Sequence, residues 1–367
     1  MRTLEALFAQ ADIRINGSRS WDMQINNPQF LKELLSGGSL TLGESYMRNF
    51  WDAESLDQFF YHLISAKLDE KIKFNLKFYF EFLKQNIINL QSKRRAFQIA
   101  EKHYDLGNDL FQAMLDKRMV YTCGYWRDAK NLDDAQEAKL KLTCEKLQLK
   151  PGMRVLDIGC GWGSFAKFAA ENYGVNVVGI SVSAEQIKLG QSLCQGLPIE
   201  LRLQDYRDVN EPFDRIVSLG MFEHVGKKNY NAYMQVVYRC LKDNGLFLLH
   251  TIGNAITLSG ADPWITKYIF PNGHIPSMCE IADAIEKKFI MEDWHNFGAD
   301  YDNTLMAWHK NFIAHWDRLK NQYPIIFKRM WEYYLLSCAG AFRARSLQLW
   351  QILMSKGMLF GGVRSPR

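Results

Sequence analysis

Long apolar runs and paired cysteines are both missing from this chain of 367 residues. No run of roughly eighteen apolar residues occurs, and residues 1–15 lack the continuous apolar segment of a secretory signal. The seven cysteines are an odd number without a Cys-x-x-Cys pair, which favours reduced thiols over disulfides or structural zinc. No HExxH pattern is present either. The sequence therefore predicts a cytoplasmic protein without a membrane span and without a metal centre.

Apolar residues are abundant enough for a large folded core. They make up 47% of the chain, against 23% charged residues. A length of 367 residues suits one large domain plus a smaller one. The net charge is +5, and residues 67–103 alone hold nine Lys/Arg against four Asp/Glu. The basic excess of the protein therefore equals the excess of this one segment.

The basic segment is also rich in aromatic residues, with Phe74 and Phe78 among Lys71, Lys73 and Lys77. Such a helix suits an anionic membrane surface, because its rings enter the interface while its lysines meet the headgroups. A helix packed on its own domain with a solvated basic face explains the pattern equally well. No RNA-binding signature accompanies the charge, so nucleic acid is not expected as a partner.

Turn and strand signals divide the chain into two parts. Helical segments separated by Gly and Asn turns predict a helical domain over residues 1–90, a linker near 89–95 and a second domain over 91–367. From Pro151 onward strands and helices alternate, which indicates a mostly parallel sheet. The predicted strands are 154–159, 175–181, 199–203, 214–220 and 246–252, and the predicted helices are 163–173, 183–195 and 228–242.

Residues 155–164, VLDIGCGWGS, read as a buried strand, a glycine turn and a helix. Gly159, Gly161 and Gly163 let the backbone approach a ligand closely, although a strand–helix corner alone would also use them. The spacing is GxGxG, and the next strand ends in Ser181 instead of an acid, which disfavours a dinucleotide. The pattern predicts an S-adenosylmethionine pocket in an α/β fold: a Rossmann-like methyltransferase sheet with a smaller, mainly helical N-terminal domain.

Ligands on such sheets bind beyond the carboxyl ends of the strands. Glu223 follows one predicted strand and His250 ends the next, so we expect these two side chains to be neighbours. After residue 260 the sequence predicts a helical insertion whose aromatic residues form either an apolar wall or ordinary core, with core the safer assignment for most of them. These residues are Trp264, Tyr268, Phe270, Trp294, Phe297, Tyr301 and Trp308.

Seven blocks of sequence, in order, closely resemble the bacterial cyclopropane-fatty-acyl-phospholipid synthases. They are HYDLGND (103–109), YTCGYW (121–126), LDIGCGWG (156–163), QDYRD (204–208), GMFEHV (220–225), YIFPNG (268–273) and DWHNFG (293–298). The resemblance implies transfer of a methylene group from S-adenosylmethionine to the cis double bond of an acyl chain in a membrane phospholipid. It also implies a homodimer. Together with the basic aromatic segment, it predicts a cytoplasmic enzyme that docks on an anionic membrane surface.

The resemblance further implies the site residues. A bound bicarbonate ion would act as the base, held by groups that match Cys123, Glu223, His250, the backbone at Ile252, and Tyr301. Either Glu223 shares a proton with this anion or His250 offsets the repulsion. Cys338 matches a cysteine considered as a nucleophile, although methyl transfer to an alkene needs no thiolate. The cofactor residues would be Tyr121, Thr122, Gly159, Cys160, Gly161, Gly163, Ser181, Gln186, Asp205, Tyr206 and Arg207.

Two other functions fit parts of the sequence. The same pocket would suit C- or N-methylation of a small apolar molecule, although a soluble substrate needs no basic membrane patch. A non-catalytic lipid-binding or tethering protein would explain the patch, but it would leave the cofactor motif, Glu223, His250 and Tyr301 without a purpose.

Overall fold

A computed structural model describes residues 2–68, 107–258 and 260–367, which form two compact units. The first unit consists of Met1–Ile88, Ser259–Pro271 and Tyr301–Leu347, and the second of Asn89–Leu258, Asn272–Asp300 and Gln348–Arg367. Most of the basic aromatic segment and the predicted linker at 89–95 lie outside the described residues, so the domain boundary stays a prediction.

The strands are β1 (Gln24–Ile25), β2 (Trp51–Asp52), β3 (Arg154–Ile158), β4 (Asn176–Ser181), β5 (Ile199–Leu203), β6 (Phe213–Leu219), β7 (Leu241–Gly253), β8 (Ile290–Asn296) and β9 (Gln348–Ser355). The helices are α1 (Arg2–Gln10), α2 (Phe30–Met47), α3 (Leu56–Ser65), α4 (Asn108–Met114), α5 (Leu132–Lys146), α6 (Ser164–Tyr173), α7 (Ala184–Leu193), α8 (Tyr230–Cys240), α9 (Pro263–Tyr268), α10 (Met278–Ile285), α11 (Ala299–Ala314), α12 (Trp316–Leu319) and α13 (Ile325–Arg343). Short 3₁₀ turns cover Tyr206–Asp208, Phe222–His224 and Lys227–Asn229.

The second unit is built on a seven-stranded sheet in the order β5-β4-β3-β6-β7-β9-β8. Strands β5, β4, β3, β6 and β7 are parallel neighbours, which confirms the predicted mostly parallel sheet. Strands β3, β4, β6 and β7 bury most of their Val, Ile and Leu residues, as parallel strands with helices on either side require, whereas the edge strand β5 buries only Leu201. The carboxyl ends of β3, β4, β6 and β7 therefore meet at one edge.

Two antiparallel strands complete this sheet, and the sequence prediction missed both. Strand β9 pairs with β7 and with β8, whereas we had expected only a helical insertion after residue 260. Trp294 consequently belongs to a strand and packs edge-on against Trp350 of β9, with ring centroids 5.0 Å apart. The predicted helical setting of Trp294 is therefore wrong. The pairing of β8 with β9 places its ring against the core of the sheet, which is the assignment that we considered safer for most of these aromatic residues.

The first unit joins the N-terminal helices to later helices. The long helix α2 is kinked at Gly38, where φ is 55° and ψ is −139°. Gly340 of α13 lies directly against α3, because a Cβ there would stand 2.6 Å from Cβ of Phe60. Arg343 donates to Asp302 at 2.8 and 2.9 Å and to Asp57 at 2.5 Å, which ties α13 to α11 and α3. The part of α13 that carries Cys338, Gly340 and Arg343 thus has a packing role in this unit.

Candidate active site

The glycine turn after β3 takes the shape that its three glycines predict. Gly159, Gly161 and Gly163 have φ values of 85°, 54° and 82°, in the region that side chains with a Cβ rarely adopt. The N–H groups of Gly159 and Cys160 donate to the carbonyl of Ile180 at 2.9 and 3.0 Å. These bonds hold the turn against the carboxyl end of β4. Helix α6 begins directly after the turn.

The three glycines serve different purposes. A Cβ on Gly159 would lie 2.7 Å from Cβ of Met221, and one on Gly163 would lie 2.9 Å from Sγ of Cys194. Both positions are therefore closed by protein packing. A Cβ on Gly161 would meet no atom of the described residues within 4 Å. The turn thus presents open space at Gly161, as a ligand cradle requires.

The predicted ribose and adenine residues follow the ends of β4 and β5. The hydroxyl of Ser181 donates to Oε1 of Gln186 at 3.0 Å, so this predicted pair is in direct contact. Asp205 is buried and accepts the N–H of Arg207 at 2.9 Å. Tyr206 is buried against Tyr233, with ring centroids 5.1 Å apart, and therefore packs within the core.

The segment Tyr121–Cys123 is held by the buried face of α5. Gln136 Nε2 donates to the carbonyl of Thr122 at 2.7 Å, and Lys139 Nζ donates to the Thr122 hydroxyl at 2.9 Å. The Cys123 side chain is fully buried, and its thiol donates to the carbonyl of Gly124 at 3.1 Å. The Thr122 methyl group also lies against Gly220, at the end of β6. These contacts bring the predicted segment to the carboxyl edge of the sheet.

Glu223 and Ile252 are joined by a hydrogen bond that the sequence did not predict. The backbone N–H of Ile252 donates to Glu223 Oε1 at 2.7 Å, so this donor orients the carboxyl group. The other oxygen, Oε2, is buried without a hydrogen-bond partner among the described residues. Burial raises the pKa of Glu223 to about 7. The carboxyl group is therefore able to hold or release a proton near neutral pH.

His250 is buried beside Gln351, its partner in the pairing of β7 with β9. Gln351 Nε2 lies 3.5 Å from His250 Nδ1 and donates to the Thr143 hydroxyl at 3.1 Å. This amide orientation favours the tautomer with hydrogen on Nε2. That nitrogen is buried and unpartnered within the described chain. Burial first, and then the charges of Lys139 and Lys146, hold the pKa of His250 well below its usual range, so the imidazole is neutral.

Tyr301 and Cys338 belong to the first unit. The Tyr301 ring packs against Phe342 and Trp308, with centroids 4.6 and 6.0 Å away. Burial raises the pKa of the Cys338 thiol to about 12. A thiol with such a pKa is a poor nucleophile near neutral pH, because the thiolate form is rare.

Sequence reasoning overlooked two polar residues of the second unit, Lys139 and Gln351. Both side chains are fully buried. For Lys139 a signal existed, since Gln136, Lys139, Thr143 and Lys146 recur at helical spacing on the face of α5 that also carries Leu132 and Ala135. Gln351 gave no such signal, because only the pairing of β9 with β7 brings it to His250.

Known proteins share this architecture. A cyclopropane-fatty-acyl-phospholipid synthase from Escherichia coli (strain K12) is 56% identical over 357 residues, covering 97% of this chain and 94% of the relative. The solved structure of the cyclopropane synthase MmaA2 from Mycobacterium tuberculosis has a TM-score of 0.67 and 31% identity, covering 71% of this chain and 98% of its own. The mycolic acid cyclopropane synthase CmaA1, complexed with SAH and CTAB, has a TM-score of 0.66 and 33% identity, with the same coverage of 71% and 98%.

These similarities confirm both the resemblance read from the seven blocks and the Rossmann-like methyltransferase fold. The profile that describes mycolic acid cyclopropane synthetases matches residues 91–352, which is more than half of the chain. The chain belongs to the mycolic acid cyclopropane synthetase family.

Proposed function

We propose that this protein is a cyclopropane-fatty-acyl-phospholipid synthase, which transfers a methylene group from S-adenosylmethionine to the cis double bond of an unsaturated acyl chain in a membrane phospholipid. The observation that carries the proposal is the combination of the glycine cradle at Gly161 with two buried polar atoms, Glu223 Oε2 and His250 Nε2, at the same carboxyl edge of the sheet. Neither atom has a hydrogen-bond partner in the ranges that the structure describes. The E. coli synthase that is 56% identical supports the same substrate class.

The residues at the glycine turn fit S-adenosylmethionine. When bound, this cofactor supplies an electrophilic methyl group. Gly161 leaves room for its methionine end, while Ser181 and Gln186 take the ribose position in place of the missing acid. Tyr121, Thr122, Gly159, Cys160, Gly163, Asp205, Tyr206 and Arg207 complete the proposed cofactor site.

The residues around Glu223 fit an anion that shares a proton. A bicarbonate ion, when bound, supplies the base that the reaction needs to close the three-membered ring. His250 Nε2 offers a hydrogen, and Glu223 is able to hold a proton because burial raises its pKa to about 7. We assign Cys123 to this site on the family resemblance, since its thiol already donates to the carbonyl of Gly124. His250 is neutral, so of the two ways to relieve the repulsion we favour the sharing of a proton by Glu223. Ile252 acts by orienting Glu223 through its N–H.

Water must be kept from the carbocation that forms on the acyl chain, because water would trap it. Phe297 supports this role beside the histidine, with its ring centroid 5.8 Å from that of His250 and 5.3 Å from that of Tyr125. Aromatic faces stabilise a cation without attacking it. We assign Tyr301 to the anion site on the family resemblance, and we assign Cys338 a packing role, since its pKa of about 12 disfavours a thiolate.

Incubation with labelled S-adenosylmethionine and vesicles of unsaturated phospholipid, followed by lipid mass spectrometry, tests the proposal. We expect each modified acyl chain to gain one CH₂ and to lose its double bond. Methylation only of small apolar amines or alkenes would instead favour the alternative methyltransferase. Binding to vesicles without any transfer would favour a lipid tether.

Bicarbonate has its own test. Thorough removal of dissolved carbonate should slow the enzyme, and adding it back should restore the rate. Full activity in carbonate-free buffer, with no anion retained by the protein, would exclude bicarbonate and leave a side chain such as His250 or Tyr301 to take the proton.

Membrane docking is proposed for the basic aromatic segment, most of which lies outside the described residues. No helix in the described ranges is both long and apolar enough to cross a bilayer. We propose peripheral docking on the cytoplasmic side of an anionic membrane. Reversal of Lys71, Lys73 and Lys77 to Glu should weaken sedimentation with anionic vesicles, since each basic residue contributes on the order of 1 kcal/mol near such a surface. Unchanged binding at low salt would favour the solvated-helix interpretation.

We also propose a homodimer, on the strength of the family resemblance. Light scattering at micromolar concentration should give twice the mass of the 42.7 kDa chain. A mass equal to that of one chain across the concentration range would overturn this part of the proposal.

A further inference from the structure

Lys139 is a fully buried lysine whose ammonium group lies next to the segment that carries Cys123. Its Nζ donates to the Thr122 hydroxyl at 2.9 Å, and the Thr122 carbonyl accepts from Gln136 at 2.7 Å. Burying an ammonium group is costly unless nearby groups compensate for its lost hydration. Its position therefore calls for an explanation in terms of the charges around it.

Three titratable groups act electrostatically on this ammonium group. Asp116, Cys123 and Asp157 all favour its charged form, whereas burial is the stronger influence and lowers the pKa of Lys139 to about 8. Asp116 is already used by the loop, because it accepts the N–H groups of Val120 at 2.8 Å and Arg118 at 3.1 Å. Burial raises the pKa of Asp157 to about 7. The negative charge near Lys139 is thus incomplete at neutral pH.

A second buried lysine of α5, Lys146, has different partners. Its Nζ lies 3.0 Å from His295 Nδ1 and 3.3 Å from a carboxylate oxygen of Asp293. Both lysines lower the pKa of His250, so both ammonium groups are within electrostatic reach of the imidazole. Lys146 is paired with a carboxylate that is ionised, since the pKa of Asp293 is lowered to about 2. Among the described residues that act on Lys139, none is a comparably acidic partner.

We propose that Lys139 is a positioning residue for the anion site: it supplies the positive charge that attracts the anion beside Cys123 and His250, and it holds Tyr121–Cys123 in place through Thr122. This inference rests on the proposed function, in which that anion is bicarbonate. His250 is neutral and Glu223 is an acid, so neither of them supplies positive charge. A buried cation acts strongly on a nearby anion, because the interior screens charges less than water does.

Thermal unfolding in the presence of S-adenosylhomocysteine measures anion binding without relying on turnover. Sodium bicarbonate is titrated at pH 7.0 and constant ionic strength, with chloride as the balancing ion, and the rise of the melting midpoint gives an apparent dissociation constant. Turnover is followed over the same bicarbonate concentrations. The variants are Lys139→Met, Thr122→Val and, as a matched control from the same helix, Lys146→Met.

We expect Lys139→Met to raise the apparent dissociation constant for bicarbonate, and the half-saturating concentration in turnover, at least tenfold. Thr122→Val removes the acceptor of the ammonium group and should raise both at least threefold. If Lys139→Met fails to fold, Thr122→Val still tests whether the ammonium group affects bicarbonate binding. Lys146→Met removes an equally buried ammonium group and should change bicarbonate binding less than twofold, even if its melting midpoint falls as far.

Three results would overturn or redirect the inference. If Lys139→Met and Thr122→Val bind bicarbonate as tightly as the parent, Lys139 contributes only to the stability of the fold. An equal loss in Lys146→Met would show that general destabilisation is the cause. A parent protein that neither binds nor responds to bicarbonate would instead refute the bicarbonate part of the proposed function.

Discussion

Replacement of Glu223 by Gln should make the protein more stable at alkaline pH while it impairs catalysis. The native carboxyl group has a pKa of about 7, whereas the unfolded chain has the ordinary value of 4.5. Between these two values the native state holds a proton that the unfolded state has lost, so stability falls as pH rises. One pKa unit corresponds to about 1.4 kcal/mol, so the difference between about 7 and 4.5 gives a loss of about 3 kcal/mol, which is complete only above pH 7.

Glu223→Gln removes this loss and keeps the geometry. The amide oxygen still accepts the N–H of Ile252, now bonded at 2.7 Å to Oε1, and the amide stays neutral at every pH. We therefore expect the variant to exceed the parent by about 2 to 3 kcal/mol in free energy of unfolding at pH 8, and by less than about 1 kcal/mol at pH 5. Turnover should fall at least tenfold, about 1.4 kcal/mol in barrier, with nearly unchanged affinity for S-adenosylhomocysteine.

Urea denaturation of both proteins at pH 5 and pH 8, at one ionic strength, measures the stability difference. Other groups titrate in both proteins and cancel in that difference. A difference that is the same at both pH values would refute the reasoning, because it would mean that Glu223 titrates normally in the folded protein. A variant with parental turnover would refute the role of Glu223 in proton transfer.

Three further substitutions test other parts of the structure. Gly161→Val should abolish binding of S-adenosylhomocysteine in calorimetry. The control Gly152→Val, at a glycine with φ of 80° and equally open space, should lower the free energy of unfolding but leave that binding unchanged. Equal binding by both variants would place the cofactor elsewhere. Cys338→Ser should retain most of the turnover, since the thiol pKa is about 12, and a loss of a hundredfold or more with intact folding would reveal a chemical role. Glu280→Gln should cost about 2 kcal/mol at pH 7. Burial opposes the charge of Glu280, but hydrogen bonds from His274, from the N–H of Ser277 and from Lys227 lower its pKa to about 2. This deficit should shrink as pH falls from 4.5 toward 2, and a deficit that persists at low pH would mean that the charge is not responsible.

Local signals in the sequence determined the parallel half of the fold and the cofactor turn. Strand β3, the turn and α6 follow one another without a gap, so apolar runs and glycine spacing are sufficient to identify them. The predicted strand 199–203 coincides with β5, and the predicted helix 163–173 differs from α6 by one residue. The same local logic placed Glu223 and His250 at one edge, because the ends of neighbouring parallel strands meet there.

Only the tertiary structure decided which groups complete the site. Gln351 reaches His250 because β9 pairs antiparallel with β7 across about 100 residues of sequence, and no local pattern encodes that register. The bond from Ile252 to Glu223 likewise depends on how the 3₁₀ turn after β6 lies against β7. The helical spacing of Lys139 marks it as a residue of the inner face of α5, but only packing shows that its ammonium group is buried against Thr122. Burial also sets the pKa values of Glu223 and His250, because desolvation depends on everything that surrounds a group and not on its neighbours in the chain.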